Sequence, residues 1–121
     1  MTSPPTAQVL ESLDELMGWP LPHGVPLAAT QDFKHDRRSN TSWWSSEFNT
    51  GVLLARPNAT FSAALLGAMR SDRIQYSFGM GGDQQLLAAF VGSNWARLPA
   101  RMNANLALYL WARAEWEAAQ P

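Results

Sequence analysis

The chain has 121 residues, which fits one domain, and nine basic against ten acidic side chains give it a formal net charge of -1. Hydrophobic residues make up 46%, so disorder throughout the chain is not expected. The balanced charge argues against a polyanion as the main partner, because phosphate neutralisation needs clustered Lys and Arg. The lack of cysteine excludes a disulfide framework, a thiol nucleophile and a Cys-ligated zinc.

The first 47 residues are rich in proline and turn formers, and they predict little regular structure. A short helix is expected over residues 9–17, ended by the prolines that follow Trp19. Its apolar face would consist of Leu10, Leu13 and Met17. Residues 25–30 predict a short strand. Residues 31–46 carry mixed charges with no sustained period, which predicts an exposed loop.

The middle of the chain has a clearer pattern. Residues 52–55 form a continuous apolar run, typical of a strand buried on both faces. Asn58 is a candidate N-cap for a helix over residues 59–70. The apolar stripe of that helix would contain Phe61, Leu65, Leu66 and Met69.

Two more helices are expected after the Gly-rich turn at residues 79–82. Asp83 is a candidate N-cap for the first, which would end at Gly92. Residues 97–99 predict an extended segment, and residues 105–119 predict a helix whose final residues fray. Its inward side would carry Leu106, Leu110 and Trp111. These elements predict an α/β fold with a short sheet and flanking helices, too few for a complete doubly wound domain.

Most chemical signatures are weak in this sequence. His23 and His35 lack a ligand partner at helical spacing, and the acids around His35 are interpreted as solvated charges. No serine stands in a nucleophile elbow, and the Gly-rich turn lacks the Gly-Lys ending of a phosphate loop. Trp43 and Trp44 stand beside serines, and either burial or a platform for sugar rings or a partner remains open.

Two clusters of polar residues are stronger candidates for a functional site. Asn49 precedes Gly51 at the start of the apolar run, where a glycine admits a close backbone approach. Gly82, Asp83 and Gln84 stand together at a predicted helix start. Strand ends and helix N-termini of α/β sheets are places where polar ligands bind, so each cluster is either functional or a simple cap.

Five short motifs follow one another in the order Phe48-Asn49-Thr50-Gly51-Val52, Arg56-Pro57-Asn58-x-Thr60-Phe61, Gly81-Gly82-Asp83-Gln84-x-Leu86-Leu87, Trp95-x-Arg97-Leu98-Pro99 and Met102-Asn103. Their order and spacing resemble glycosyltransferase family 8, the glycogenin-like retaining enzymes that use nucleotide sugars in a GT-A fold. The resemblance extends over residues 9–111 and is greatest to plant glucuronosyltransferases that act on xylan or on inositol-containing sphingolipids. It implies that this chain has part of a GT-A fold.

The resemblance also implies a function. It implies transfer of glucuronic acid or glucose, with retention, from a UDP-sugar to a glycan or glycolipid in the Golgi or secretory pathway, with manganese on the diphosphate. Asp83 would hold the sugar hydroxyls and Gln84 would lie beneath the anomeric carbon as catalytic residues. Asn49, Gly51 and Gly82 would be substrate-binding positions. No metal ligand is implied in this chain.

The sequence departs from the family pattern at both ends. The family's Asp-x-Asp metal motif does not stand upstream of Leu10, and neither His23 nor His35 occupies the position of its metal-binding His. We expect residues 1–8 to be an unrelated start without signal-peptide character, residues 9–111 to be a central and C-terminal portion of the family domain, and residues 112–121 to be a helical or frayed tail. Such a chain is expected to be inactive in isolation. The alternatives are a non-catalytic carbohydrate- or protein-binding remnant and an incomplete gene model.

Overall fold

A computed structural model of the chain describes residues 9–71 and 82–121 and shows a small mixed sheet with helices beside it. The strands are β1 (Leu27–Asp36), β2 (Thr41–Ala55) and β3 (Ala96–Arg97). The helices are α1 (Asp14–Met17), α2 (Ala59–Arg70), α3 (Asp83–Val91), α4 (Leu106–Trp111) and α5 (Arg113–Ala118), with a 3-10 turn at Ala100–Met102. The predicted α/β class is confirmed. The Gly-rich turn predicted at residues 79–82 and the start at residues 1–8 lie outside the described residues, except for Gly82.

The sheet has the strand order β2-β1-β3. Strand β1 runs antiparallel to β2 and parallel to β3, where Ala28 and Ala29 pair with Ala96 and Arg97. Ala28 and Ala29 are fully buried, so the strand that is covered on both faces is β1. Residues 52–55 are in a strand, as predicted, but they are half-buried or exposed, so the predicted burial on both faces was wrong. They belong to β2, which lies at the edge of the sheet.

Residues 31–46 do not form a loop, contrary to the prediction. They form most of a hairpin in which Lys34 pairs with Trp43 and Phe33 pairs with Trp44. Each face of this hairpin carries both polar and aromatic side chains, so the sequence shows no simple alternation between polar and apolar residues. The hairpin turns at residues 37–40, where the Asp36 carboxylate accepts from the Arg38 amide at 3.0 Å.

The hydrophobic core forms where α3 covers one face of the sheet. Leu27, Ala29 and Phe48 are buried, and Leu53, Leu87, Ala88, Val91 and Trp95 pack against them. Phe48 meets Trp95 edge to face, with ring centroids 5.3 Å apart. The core is therefore assembled from the sheet and α3, and it lies directly behind the part of β2 that contains Asn49.

The first two helices match the predictions in part. Asn58 caps α2, since its side chain accepts from the Phe61 amide at 3.0 Å. Phe61 meets Phe90 of α3 edge to face, whereas Leu66 and Met69 are about half exposed, so only part of the predicted stripe is covered. Helix α1 is shorter than predicted, and its proposed apolar face of Leu10, Leu13 and Met17 is exposed.

The C-terminal region forms two helices where one was predicted. Asn105 caps α4, and the chain then breaks at Ala112, whose φ of -147° and ψ of 63° are not helical. The inward residue of α4 is Leu108, which is 1% exposed. The predicted inward residues, Leu106, Leu110 and Trp111, are all exposed. Trp111 instead stacks on His35 at the hairpin, with ring centroids 4.4 Å apart.

Candidate functional site

A network of polar side chains surrounds the carboxylate of Asp32 on β1. Asn49 Nδ2 donates to one carboxylate oxygen at 3.0 Å, and Gln84 Nε2 donates to the other at 3.0 Å. Gln84 Oε1 in turn accepts from the Thr50 amide at 3.2 Å. The network therefore joins two of the sequence-predicted residues, Asn49 and Gln84, through an acid that the sequence analysis assigned to solvated charges in a loop.

Asn103 completes the network from the segment after the 3-10 turn. Its Nδ2 donates to Asn49 Oδ1 at 2.8 Å, and the same oxygen accepts from the Gly51 amide at 2.8 Å. With these two donors on its oxygen and Asp32 on its nitrogen, the Asn49 amide has one defined orientation. Residues from two strands, from α3 and from the C-terminal half of the chain thus fix one another.

Gly51 leaves room for these contacts. A Cβ at this position would lie 2.9 Å from Asn49 Oδ1 and 3.0 Å from Asn103 Nδ2. Such distances are shorter than a carbon tolerates without displacing its neighbour. The side chain at position 51 must therefore be absent for the network to close, which is the close approach expected from a glycine after Asn49.

Irregular strand pairing brings Asp32 and Asn49 together. Where β1 advances from Ala29 to Thr30, the partner on β2 moves from Leu53 to Asn49 rather than to Val52. A second irregularity lies between Gln31 and Phe33, and Asp32 is not among the paired residues. Bulges re-aim side chains and are frequent beside functional sites. Here they free Asp32 and the backbone amides of Thr50 and Gly51 for the network.

Helix α3 presents Gln84 to the sheet. The helix begins after Gly82, whose φ of 99° is in the left-handed region that favours glycine. Gly82 holds the cap position without a side-chain cap, so the prediction that Asp83 is the N-cap was wrong. Asp83 is the first residue of α3 and is exposed. It lies beside Gln84 in sequence, but no hydrogen bond within the described part of the chain joins Asp83 to the network.

The network occupies one face of the β1–β2 hairpin. The next pair on that face is Lys34 with Glu47, whose charged atoms are 3.0 Å apart. Trp43 lies opposite Lys34 and is 46% exposed, and Trp44 on the other face is 37% exposed. Both tryptophans are therefore partly accessible to solvent, and neither is buried.

The site does not fit the manganese ion that the resemblance implies. Within residues 9–71 and 82–121, no three His, Asp or Glu side chains come close enough together to hold a metal ion. Both oxygens of Asp32 accept from amide nitrogens, and His23 and His35 lie in other parts of the fold. The side-chain groups that the described residues place in the network are one carboxylate and three amides.

A groove of about 570 Å³ lies elsewhere, between the start of β1 and helices α2 and α3. Apolar side chains such as Phe61, Phe90 and Val91 line part of it, and Arg56 and His23 are among its polar lining residues. None of the network residues lines this groove. The convergent polar groups of the network lie on the sheet, apart from this groove.

Two members of the network, Asp32 and Asn103, were not predicted as site residues from the sequence. Asn103 was present in the Met-Asn motif without an assigned role, and Asp32 was placed in a loop. No local sequence pattern could predict these contacts, because Asp32 is 17 positions from Asn49 in sequence and Asn103 is 54 positions from it.

Comparisons with known proteins found no matching family model, no matching curated protein and no matching solved structure. In the part of the chain that the structure describes, no helix is long and apolar enough to cross a membrane.

Proposed function

We propose that the Asp32 network binds the sugar ring of a UDP-sugar, and that the chain carries the sugar-facing part of a retaining glycosyltransferase similar to family 8, within a GT-A fold. The observation that supports this most is the fixed arrangement of Asp32, Asn49 and Gln84. The donor would carry glucuronic acid or glucose, and the acceptor would be a glycan or glycolipid. The proposed cellular location is the Golgi or secretory pathway.

The network has the hydrogen-bonding chemistry that a sugar requires. Each oxygen of Asp32 accepts one amide hydrogen and retains further acceptor capacity. Each of the two amides donates one of its two hydrogens to Asp32, and within residues 9–71 and 82–121 the other hydrogen has no acceptor. An unused acceptor therefore stands beside an unused donor at two places. A sugar hydroxyl, which both donates and accepts, matches such a pair.

The same groups suit the transition state of glycosyl transfer. A retaining transfer develops positive charge on the sugar ring, in an oxocarbenium-like state. The carboxylate of Asp32 and the carbonyl oxygen of Gln84 would stabilise that charge, because they are held in place before the sugar arrives. In this proposal Gln84 lies beneath the anomeric carbon. Asp83, exposed on the first turn of α3, takes further sugar hydroxyls.

Glycines give the proposed site its shape. Gly51 allows the backbone to approach the two asparagine side chains, and Gly82 allows the turn that directs α3 toward the sheet. In this proposal Gly51 contributes to substrate binding by letting the asparagine side chains close the network, and Gly82 by the backbone conformation at the start of α3.

Saturation-transfer NMR with UDP-glucuronic acid and UDP-glucose tests the proposal. We expect saturation on the hexose ring protons, with binding weakened about tenfold in Asp32→Asn. This substitution keeps the shape of the side chain but places a nitrogen where one amide donates. Asp14→Asn on α1 is the matched control, and circular dichroism establishes that each variant is folded. Saturation confined to uridine, or equal binding by Asp32→Asn, contradicts the proposal.

A second candidate function is favoured by the two exposed tryptophans of the hairpin. A non-catalytic module would bind a glycan or a protein through Trp43 and Trp44, because exposed tryptophans supply large apolar contact areas with a polar edge. Glycan binding that needs these tryptophans, in a protein that binds neither UDP-sugar, would identify this function. Binding of the sugar ring at Asp32 would exclude it as the sole function.

A further inference from the structure

We propose that Trp43, with Lys34 and Glu47, forms a subsite for a pyranose ring of the acceptor, next to the Asp32 network. This inference rests on the proposed function, because it assigns the second substrate of the same site. It identifies the acceptor as a neutral oligosaccharide that extends along the sheet face.

Side-chain contacts determine which tryptophan shares the face of the network. Asp32 bonds to Asn49, and Lys34 bonds to Glu47, so the two members of each pair lie on the same side of the sheet. Residues two apart on a strand point to the same side. Trp43 pairs opposite Lys34 and therefore belongs to this face.

Trp44 points to the other face. It meets Phe33 edge to face, with centroids 5.1 Å apart and planes at 71°. Phe48, on that same side, packs in the core against Trp95. Trp44 therefore contributes to the packing of the hairpin, whereas no aromatic stacking partner of Trp43 is found within the described residues.

The separation suits two adjacent sugar rings. Lys34 lies two residues beyond Asp32, which corresponds to about 7 Å along the strand. Trp43 lies across from Lys34 on the neighbouring strand. An acceptor ring on Trp43 would therefore be next to a donor ring held at Asp32.

The chemistry of the subsite matches a neutral pyranose. The 46% exposed ring of Trp43 offers an apolar surface for the C–H face of the sugar. Lys34 and Glu47, both substantially exposed, place a donor group and an acceptor group beside it. Their opposite charges cancel, so the subsite has no net charge to attract an anionic ligand.

Isothermal titration with cellohexaose and xylohexaose tests this inference on the full chain. We expect at least one hexasaccharide to bind and Trp43→Ala to weaken it about tenfold. Trp44→Ala is the matched control on the opposite face and should retain the wild-type affinity. If that variant unfolds, Trp44→Phe keeps an aromatic ring against Phe33 and serves instead. The indole N–H signal of Trp43, assigned by its loss in the variant, should shift with the sugar.

Four results overturn the inference: neither hexasaccharide binds, Trp43→Ala binds as well as wild type, the loss occurs only in the Trp44 variant, or the Trp43 signal stays unmoved. UDP-glucuronic acid binding is measured on the same samples. Donor binding without oligosaccharide binding overturns the acceptor subsite and leaves the proposed function intact. Oligosaccharide binding at Trp43 without donor binding overturns both the acceptor role and the proposed function, and leaves a glycan-binding surface.

Discussion

Replacement of Gly51 by alanine should destabilise the protein, although alanine usually stabilises a chain relative to glycine. The new methyl group would lie 2.9 Å from Asn49 Oδ1 and 3.0 Å from Asn103 Nδ2. Both neighbouring atoms belong to side chains, so they are expected to move rather than force the backbone to shift. Their movement breaks the bonds that Asn49 Oδ1 accepts from Gly51 and from Asn103.

The expected loss follows from those two hydrogen bonds. Each is worth about 1 kcal/mol net, so their rupture costs about 2 kcal/mol. The φ of Gly51 is not in the left-handed region, and alanine therefore restricts the unfolded chain without backbone strain in the folded one. That restriction raises the free energy of unfolding by about 0.4–1 kcal/mol. The net destabilisation is about 1–2 kcal/mol.

Urea unfolding followed by circular dichroism measures this difference, with Gly67→Ala as the matched control. Gly67 lies within α2, and a Cβ there would meet no atom within 4 Å. The control should therefore be stabilised by about 0.5–1 kcal/mol, because glycine is unfavourable inside a helix. The same chemical change should have opposite signs at the two positions. A Gly51→Ala protein as stable as wild type would refute the reasoning.

Two further predictions concern packing and charge. Leu108→Ala should lower the free energy of unfolding by about 2–4 kcal/mol because the side chain is buried. Leu110→Ala, at a 52% exposed position, should lower it by less than about 0.5 kcal/mol. Equal losses in urea unfolding would contradict the assigned face of α4. Hydrogen bonds from the Arg101 guanidinium lower the pKa of Glu15. This ion pair therefore contributes fully above the ordinary pKa of Glu15 and is lost as the pH falls through the lowered value. NMR titration of the Glu15 carboxyl should give a higher pKa in Arg101→Gln, and an unchanged pKa would show that the ion pair does not form in solution.

Local signals predicted the elements that local interactions define. The helix over residues 59–70 has a side-chain cap at Asn58, and α3 ends at a left-handed glycine, Gly92. Each of these features depends on residues close in sequence. The hairpin over residues 31–46 escaped prediction because its pairing joins residues many positions apart. Its two faces also each mix polar and aromatic side chains, which hides the period of two.

The predicted C-terminal helix also shows that local sequence does not determine contacts between distant residues. A continuous helical composition predicts one element, but the chain breaks at Ala112, directly after Trp111, which stacks on His35 of the hairpin. Tertiary contact determines which face of α4 is inward, and the six-residue helix has Leu108 as its buried residue. Composition alone gives no reason for the break at an alanine.

Part of the candidate site could be predicted from local sequence motifs, and part of it depends on the fold. The short motifs singled out Asn49, Gly51 and Gln84. Gln84 is in the first turn of α3, whereas Asn49 and Gly51 lie within β2 and not at the start of a strand, as the sequence had predicted. Asp32 was identified only by the fold, since the two strand irregularities that free its side chain have no local sequence signature.

The network has a structural role as well as its proposed chemical one, and the two are linked. The buried core is small, and through Gln84 and Asn103 the network connects α3 and the segment after the 3-10 turn to the paired strands β1 and β2. Substitution in the network should therefore lower stability and sugar binding together. The loss of stability and the loss of binding can be measured separately. A ligand that bonds to the unused groups of the network stabilises the folded state, and it does so more strongly as its concentration rises above its Kd. A sugar that raises the unfolding temperature of wild type but not of Asp32→Asn would thus show that the network binds the sugar and does not only stabilise the fold.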